Sequence, residues 1–163
     1  MSAITASSLP MSSTAQADIV VFSRDKRPIL VVELKDTGAY TTPESAAGVR
    51  RSLMAHGLLP DAPFFMLVTP IKQFLWPKIA APHDLPGFTA PSTSILDHYA
   101  APRPSRPKQG RGGALEIVIF SWLSDLASGI RSPSRDSPAD QMLVESGVYQ
   151  QIRGGTADFE VQL

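Results

Sequence analysis

Three charged residues, Asp18, Glu33 and Lys35, stand inside two apolar segments that a charged turn separates. A turn centred on residues 25–26 predicts a hairpin in which Asp18 faces Glu33, with Cβ atoms about 5 Å apart. Side chains alternate along a strand, so all three charged side chains are expected on one face. The same register pairs Val20 with Val31 and Phe22 with Ile29.

Two carboxylates held this close repel each other, and burial adds a desolvation cost to each of them. A divalent cation relieves both penalties. Mg²⁺ takes one or two carboxylates and keeps water for a phosphate ligand, and Lys35 on the same face suits a phosphate or an activated water. The alternative is an ion pair between Lys35 and Glu33 at the sheet edge, with Asp18 in solvent beyond the strand end.

A helix and two further strands are expected to position these residues. Thr42 fits an N-cap, Pro43 the first helical position, and Gly57 the end of the helix. The uninterrupted apolar run at 63–69 predicts a strand that is covered on both faces, and residues 72–76 predict another strand.

The rest of the chain divides into a connection and a second block. Prolines punctuate residues 77–113, which predict a long connection with a short helix at "SILDHYA". The second block predicts a strand from Ala114, a short helix after it, a helix with Ser137 as N-cap and Asp140 completing a capping box, and a terminal strand. Residues 1–16 are expected to form a flexible lead-in to one domain over residues 17–163, with the connection inside it.

The composition limits the classes of function. Hydrophobic residues make up 43% of the 163 residues, and Lys plus Arg equals Asp plus Glu at 15 each. No global charge advertises nucleic acid, so a charged ligand requires a local site. Without cysteine there is no disulfide frame or thiolate metal site. No apolar run suits a membrane span or a signal peptide, and a cytoplasmic location is expected.

The motif and its order resemble those of the PD-(D/E)XK nuclease superfamily, which has the restriction-endonuclease-like fold. That family carries an Asp on one strand and Glu-x-Lys on the next, followed by a helix and a further strand. Here the counterparts are Asp18, Glu33-Leu34-Lys35, the helix from Pro43, and the strand at 63–69. The segments "VVELKD" and "RRSLMAHGLLPDAPFFMLVTP" are similar to a prokaryotic branch of the superfamily.

The resemblance implies an α/β domain with a mixed sheet flanked by helices. It assigns Asp18, Glu33 and the carbonyl of Leu34 as metal ligands and Lys35 as the catalytic lysine. Mg²⁺ is the expected metal, with Mn²⁺ as a substitute, and nucleic acid is the expected partner, DNA rather than RNA. The alternative on the same fold is a catalytically weak or inactive module that binds nucleic acid or another protein.

Two departures from the family pattern stand at the start of the chain. Ala17 replaces the proline that precedes the family Asp. The helix and strand that usually come before this Asp are missing from residues 1–17. Either the core is shortened, or a second copy or another partner supplies the element, or this branch works without it.

Other polar residues carry secondary interpretations. Arg50 and Arg51 on the helix after the motif are predicted nucleic-acid contacts, with a solvated helix face as the alternative. Glu116 suits either a sheet edge or an additional carboxylate of the site. The basic, Pro/Gly-rich loop suits either a nucleic-acid track or a linker, and its cations are Arg103, Arg106, Lys108 and Arg111.

Overall fold

The computed structural model of the chain describes residues 16–99 and 114–162. The predictions for residues 1–15 and for the basic loop therefore lie outside the described residues. Within the described residues the strands are β1 (Gln16–Phe22), β2 (Pro28–Leu34), β3 (Phe64–Val68), β4 (Lys72–Pro77), β5 (Phe88–Pro91) and β6 (Thr156–Gln162). The helices are α1 (Pro43–Ala55), α2 (Thr93–Tyr99), α3 (Ala114–Ser128), α4 (Pro138–Ser146) and α5 (Val148–Ile152).

The strands form one mixed sheet in the order β5-β4-β3-β2-β1-β6. Strands β2 and β3 are parallel, and the other four neighbouring pairs are antiparallel. A parallel pair requires a crossover, and α1 provides it. The sequence prediction of an α/β fold with a mixed sheet and flanking helices is confirmed at this level.

Helix α1 begins where the sequence predicts. The Thr42 hydroxyl accepts the Ser45 N–H at 3.1 Å, and Pro43 occupies the first turn. The helix ends at Ala55, and Gly57 follows it with a left-handed φ of +67°, a conformation that favours glycine.

Two apolar clusters lie on opposite faces of the sheet. Helix α1 covers the face that carries Val20, Val31 and Leu67, whereas α2 to α5 cover the face that carries Ile19 and Val32. All five residues of β3 are buried, which confirms the predicted strand covered on both faces.

The predicted β1–β2 hairpin is confirmed, with one correction. Val20 pairs with Val31 as expected, but Phe22 pairs with Pro28 rather than with Ile29, because the register shifts after Val21. The turn is longer than two residues: Lys26 adopts a left-handed φ of 64°, which inserts one residue into the second strand side of the loop.

The strand predicted from Ala114 is wrong, because residues 114–128 form helix α3. A short apolar run cannot distinguish a buried strand from a buried helix by its composition. The buried positions recur at intervals of three and four, which is the helical period: Leu115, Val118, Ile119, Trp122, Leu123 and Leu126.

The Pro-rich connection also contains more structure than predicted. The short helix is confirmed as α2, but residues 88–91 form β5 on the edge of the sheet beside β4. Prolines are tolerated on an edge strand because one side of it needs no ladder hydrogen bonds.

Helix α4 begins at the predicted cap, although its capping box is incomplete. The Ser137 hydroxyl accepts the Asp140 N–H at 3.1 Å. The Asp140 carboxylate does not return to the cap, because it binds Trp122 and Arg131 of the neighbouring helix and loop instead.

Candidate functional site

The candidate site forms where β1 and β2 separate. The ladder between these strands runs to the pair Ile19–Val32, and beyond it Asp18 Oδ2 accepts the Leu34 N–H at 2.8 Å. The Asp18 side chain thus replaces a backbone acceptor between the strand ends. Strand β1 stays paired with β6 on its other side, at Ala17 and Val161.

Glu33 and Lys35 lie beside this gap at the carboxyl end of β2. The Lys35 N–H donates to the Val68 carbonyl at 2.9 Å, so the backbone of Lys35 continues the parallel pairing with β3. Lys35 Nζ lies 3.5 Å from Glu33 Oε2, with side chains 36% and 20% exposed. The structure therefore brings Asp18, Glu33 and Lys35 together at one end of the sheet.

Electrostatics set Glu33 apart from an ordinary surface carboxylate. Burial raises the pKa of Glu33, the Asp18 charge raises it further, and the opposing attraction of Lys35 does not offset the two. The anion of Glu33 is therefore held in an unfavourable environment, which an additional cation would relieve.

The two sequence interpretations of this motif each describe part of the geometry. The ion pair between Lys35 and Glu33 is present, as the simpler alternative predicts. Asp18 is half-buried and hydrogen-bonded, however, and does not sit in solvent beyond the strand end.

The oxygen donors at this site are few. Among residues 16–99 and 114–162 there is no cluster of three or more His, Asp or Glu side chains that could hold a metal. The available set is the Asp18 and Glu33 carboxylates with the Leu34 carbonyl, which shares its strand edge with the Leu34 N–H that Asp18 binds. Hard oxygen donors of this number suit an ion that keeps several waters, as Mg²⁺ does.

An open groove of about 500 Å³ leads away from Lys35 along α1. Tyr40 and Ser45 line one part, and Gly48 and Ser52 lie along the helix. A Cβ on Gly48 would lie 3.8 Å from the guanidinium of Arg51, so this exposed arginine borders the groove. Sequence reasoning missed Tyr40 and Gly48; the recurrence of small residues along α1 is the signal that could have found the groove.

The two arginines of α1 have different environments. Arg50 is only 2% exposed, and it donates to the carbonyls of Ala81 and Ala80 at 2.8 and 2.9 Å. Its guanidinium also lies 5.5 Å from the centre of the Trp76 ring. The predicted nucleic-acid contact at Arg50 is therefore corrected, because its donors serve the fold, whereas Arg51 is exposed and available.

Glu116 does not join the carboxylate pair. It lies on α3, whose apolar residues pack against the sheet face opposite to the one that carries Val31 and Glu33. The side of β1 where a preceding strand is missing is also occupied, because β6 pairs with β1 from Gln16 to Phe22. A strand from a partner would find no free edge on β1.

Comparisons of the chain with protein-family models, curated proteins and solved structures found no match. None of the helices in the described part of the chain has the length and apolar character needed to cross a membrane.

Proposed function

We propose that this chain is a metal-dependent nuclease-like domain that hydrolyses phosphodiester bonds of nucleic acid, with DNA as the expected substrate. The observation that carries the proposal is the juxtaposition of Asp18, Glu33 and Lys35 beside an open groove. Each of these residues comes from a strand end, where a rigid backbone fixes its position.

A restriction-endonuclease-like fold is part of this proposal. The motif stands on two adjacent antiparallel strands, and a crossover helix leads to a parallel strand. The C-terminal helix and strand, α5 and β6, take the place of the helix and strand that are missing before Asp18. This interpretation favours a complete core over the alternative of a partner-supplied element.

The residues present fit a magnesium ion. Asp18 and Glu33 would hold it with the Leu34 carbonyl, and neutralisation of the Glu33 anion would contribute to its affinity. Mg²⁺ or Mn²⁺ in this position would supply Lewis-acid polarisation of the phosphodiester and activation of a water.

The side chains contribute positioning and charge. The Asp18 carboxylate is fixed by the Leu34 N–H, so its orientation does not depend on a ligand. The Lys35 ammonium, held beside Glu33, places a positive charge where a phosphate would gain negative charge in the transition state. Arg51 and Tyr40 border the path of a strand along α1, with a cation for the backbone and a ring for a base.

A cleavage assay tests the proposal. The purified chain is incubated with labelled single-stranded and double-stranded DNA and RNA, with Mg²⁺, with Mn²⁺, or with a chelator. Cleavage is expected only with metal, and Lys35→Ala is expected to reduce its rate by a factor of about 10²–10³. Lys78→Ala, which removes an exposed lysine paired with Asp61 on the surface, is the matched control.

The alternative of a weak or inactive module predicts a different result. The small donor set, two carboxylates and a carbonyl, is the observation that favours it. Metal-independent binding of nucleic acid without cleavage, unchanged in the Lys35→Ala variant, would favour that alternative.

A further inference from the structure

We infer that a cleft at the turn end of the β1–β2 hairpin is a binding site for phosphate groups. This cleft is about 390 Å³ and is lined by polar residues of the turn and of α5. Its donors are the guanidinium groups of Arg24, Arg27 and Arg153 and the amides of Gln150 and Gln151.

The positive charges in the cleft exceed the negative ones. The one acidic lining residue, Asp25, accepts the Ser23 hydroxyl at 3.0 Å and lies 3.4 Å from the guanidinium of Arg27. Among the described residues, neither Arg24 nor Arg153 forms an ion pair. The cleft thus gathers two uncompensated cations, and an anion would relieve their mutual repulsion.

Packing holds these cations in place without a carboxylate. A Cβ on Gly154 would lie only 2.7 Å from the Arg24 Nε, so the Arg24 side chain rests directly against the backbone of that glycine. Gly154 has a left-handed φ of +83°, a conformation that disfavours other residues. The Arg153 guanidinium lies 5.7 Å from the centre of the Tyr149 ring.

The donor chemistry identifies the ligand class. Guanidinium groups present paired N–H donors whose geometry matches phosphate oxygens, and the two glutamine amides add neutral donors. A carboxylate ligand would use fewer of these donors than a phosphate with its additional oxygens. The ligand is therefore a phosphate group, either free or carried by a polynucleotide.

This site is separate from the candidate metal site. Five residues of extended strand lie between Asp18 and Ser23, which corresponds to about 16 Å. The Gln150, Gln151 and Arg153 side of the cleft belongs to α5, which packs on the sheet face opposite to α1. The inference therefore stands whether or not the chain cleaves nucleic acid.

Titration with inorganic phosphate and with pyrophosphate, at constant ionic strength maintained with NaCl, tests the inference. Amide chemical shifts of residues 23–27 and 150–154 are expected to change with a saturable dependence on phosphate. The double variant Arg24→Gln, Arg153→Gln is expected to weaken binding about tenfold or more, because charge-assisted hydrogen bonds are lost. Arg135→Gln, at an exposed arginine outside the cleft, is the matched control and should bind as the wild type does.

A second variant separates position from charge. Gly154→Ala keeps every arginine but forces Arg24 away from its place, so it is expected to weaken phosphate binding in a protein whose folding is checked by its melting temperature. A short single-stranded oligonucleotide distinguishes the sources: for a polynucleotide ligand, the double variant lowers the slope of log K against log salt by about 0.7 per lost contact. If only free phosphate binds, the ligand is a small phosphate.

Two results would overturn the inference. One is a wild-type protein whose cleft shifts do not saturate with either phosphate or pyrophosphate. The other is a loss of affinity in Arg135→Gln equal to that of the double variant, which would reduce the effect to total charge. Neither result depends on the cleavage assay, so failure here is distinguishable from failure of the nuclease proposal.

Discussion

At the scale of single residues, Glu33 combines three opposing influences. Burial and the charge of Asp18 disfavour its anion, and Lys35 at 3.5 Å favours it. The raised pKa of Glu33 shows that the first two prevail. An exposed ion pair contributes roughly 0–1 kcal/mol, which is too little to reverse them.

A Glu33→Gln variant is expected to be at least as stable as the wild type at neutral pH without metal. The pKa of Glu33 in the folded chain lies above its ordinary value of 4.5. Its contribution to stability is therefore fully present below about that pH and is lost as the pH rises through the folded-state pKa. Urea unfolding of both proteins across this range should show the variant gaining relative stability as pH rises; a relative loss would mean that the Lys35 pair dominates.

Gln73 is a second residue with an uncompensated polar group. Its side chain is fully buried, and both its amide nitrogen and its amide oxygen lack a hydrogen-bond partner. Gln73→Met is expected to raise the free energy of unfolding by about 1–2 kcal/mol, since an unsatisfied buried polar group costs about that much. Ser92→Ala should have the opposite effect, because the buried Ser92 hydroxyl donates to the Thr69 carbonyl at 2.8 Å. Equal stability of Gln73→Met and wild type would indicate that a buried water satisfies the amide.

At the scale of elements, α1 connects the candidate site to the β4–β5 loop through Arg50. Arg50→Met is expected to lower stability by about 2–4 kcal/mol, because it leaves two buried carbonyl acceptors unpaired. Arg51→Gln should stay within about 0.5 kcal/mol of wild type and weaken nucleic-acid binding instead. Chemical denaturation and oligonucleotide binding measure the two effects. A stable Arg50→Met variant would contradict the structural role given to Arg50.

Helices α3 and α4 are joined through Asp140. The fully buried Asp140 carboxylate accepts Trp122 Nε1 at 2.7 Å, two nitrogens of Arg131 at 2.9 and 3.1 Å, and the Ser134 N–H at 2.8 Å. Burial alone would raise the pKa of Asp140, but these hydrogen bonds outweigh it, so the pKa is lowered.

Asp140→Asn is expected to lower the free energy of unfolding by about 3–5 kcal/mol, since it leaves a buried arginine without its partner. In the wild type, the contribution of Asp140 is present above its unfolded-state pKa and is lost as pH falls through the lowered folded-state pKa. Denaturation at neutral and acid pH checks both statements. Asp136→Asn, at an exposed position on the approach to α4, is the control, and a loss of equal size there would refute the assignment.

The elements differ in how far their sequence determines them. Helix α1 is predictable because its start is local: Thr42 and Pro43 act within one turn. Helix α3 is not, because its apolar run suits a strand as well, and its neighbours across the sheet decide the outcome. The Asp140 partners Trp122 and Arg131 come from outside α4, so local pattern reading assigns that carboxylate to a capping box.

At the scale of the whole molecule, the hairpin and the crossover are predictable, whereas the sheet order is not. The turn between β1 and β2 fixes their register nearly completely, and with it the meeting of Asp18 and Glu33. The pairing of β6 with β1 joins residues from the two ends of the described chain, and neither a turn nor a composition signal announces it. Consequently the sequence predicted the charged residues of the site but not the strand that completes its surroundings.

The central claim is that Asp18 and Glu33 hold a divalent cation, and thermal unfolding of wild type and Glu33→Gln with and without Mg²⁺ or Mn²⁺ tests it most directly. Metal is expected to stabilise the wild type by about 2.7 kcal/mol at a hundredfold excess over Kd. It should leave Glu33→Gln unchanged, while the control Asp36→Asn, at an exposed carboxylate beside the motif, responds as the wild type does. A wild-type melting temperature that ignores both metals at millimolar concentration would contradict the metal-dependent nuclease account and favour the binding module.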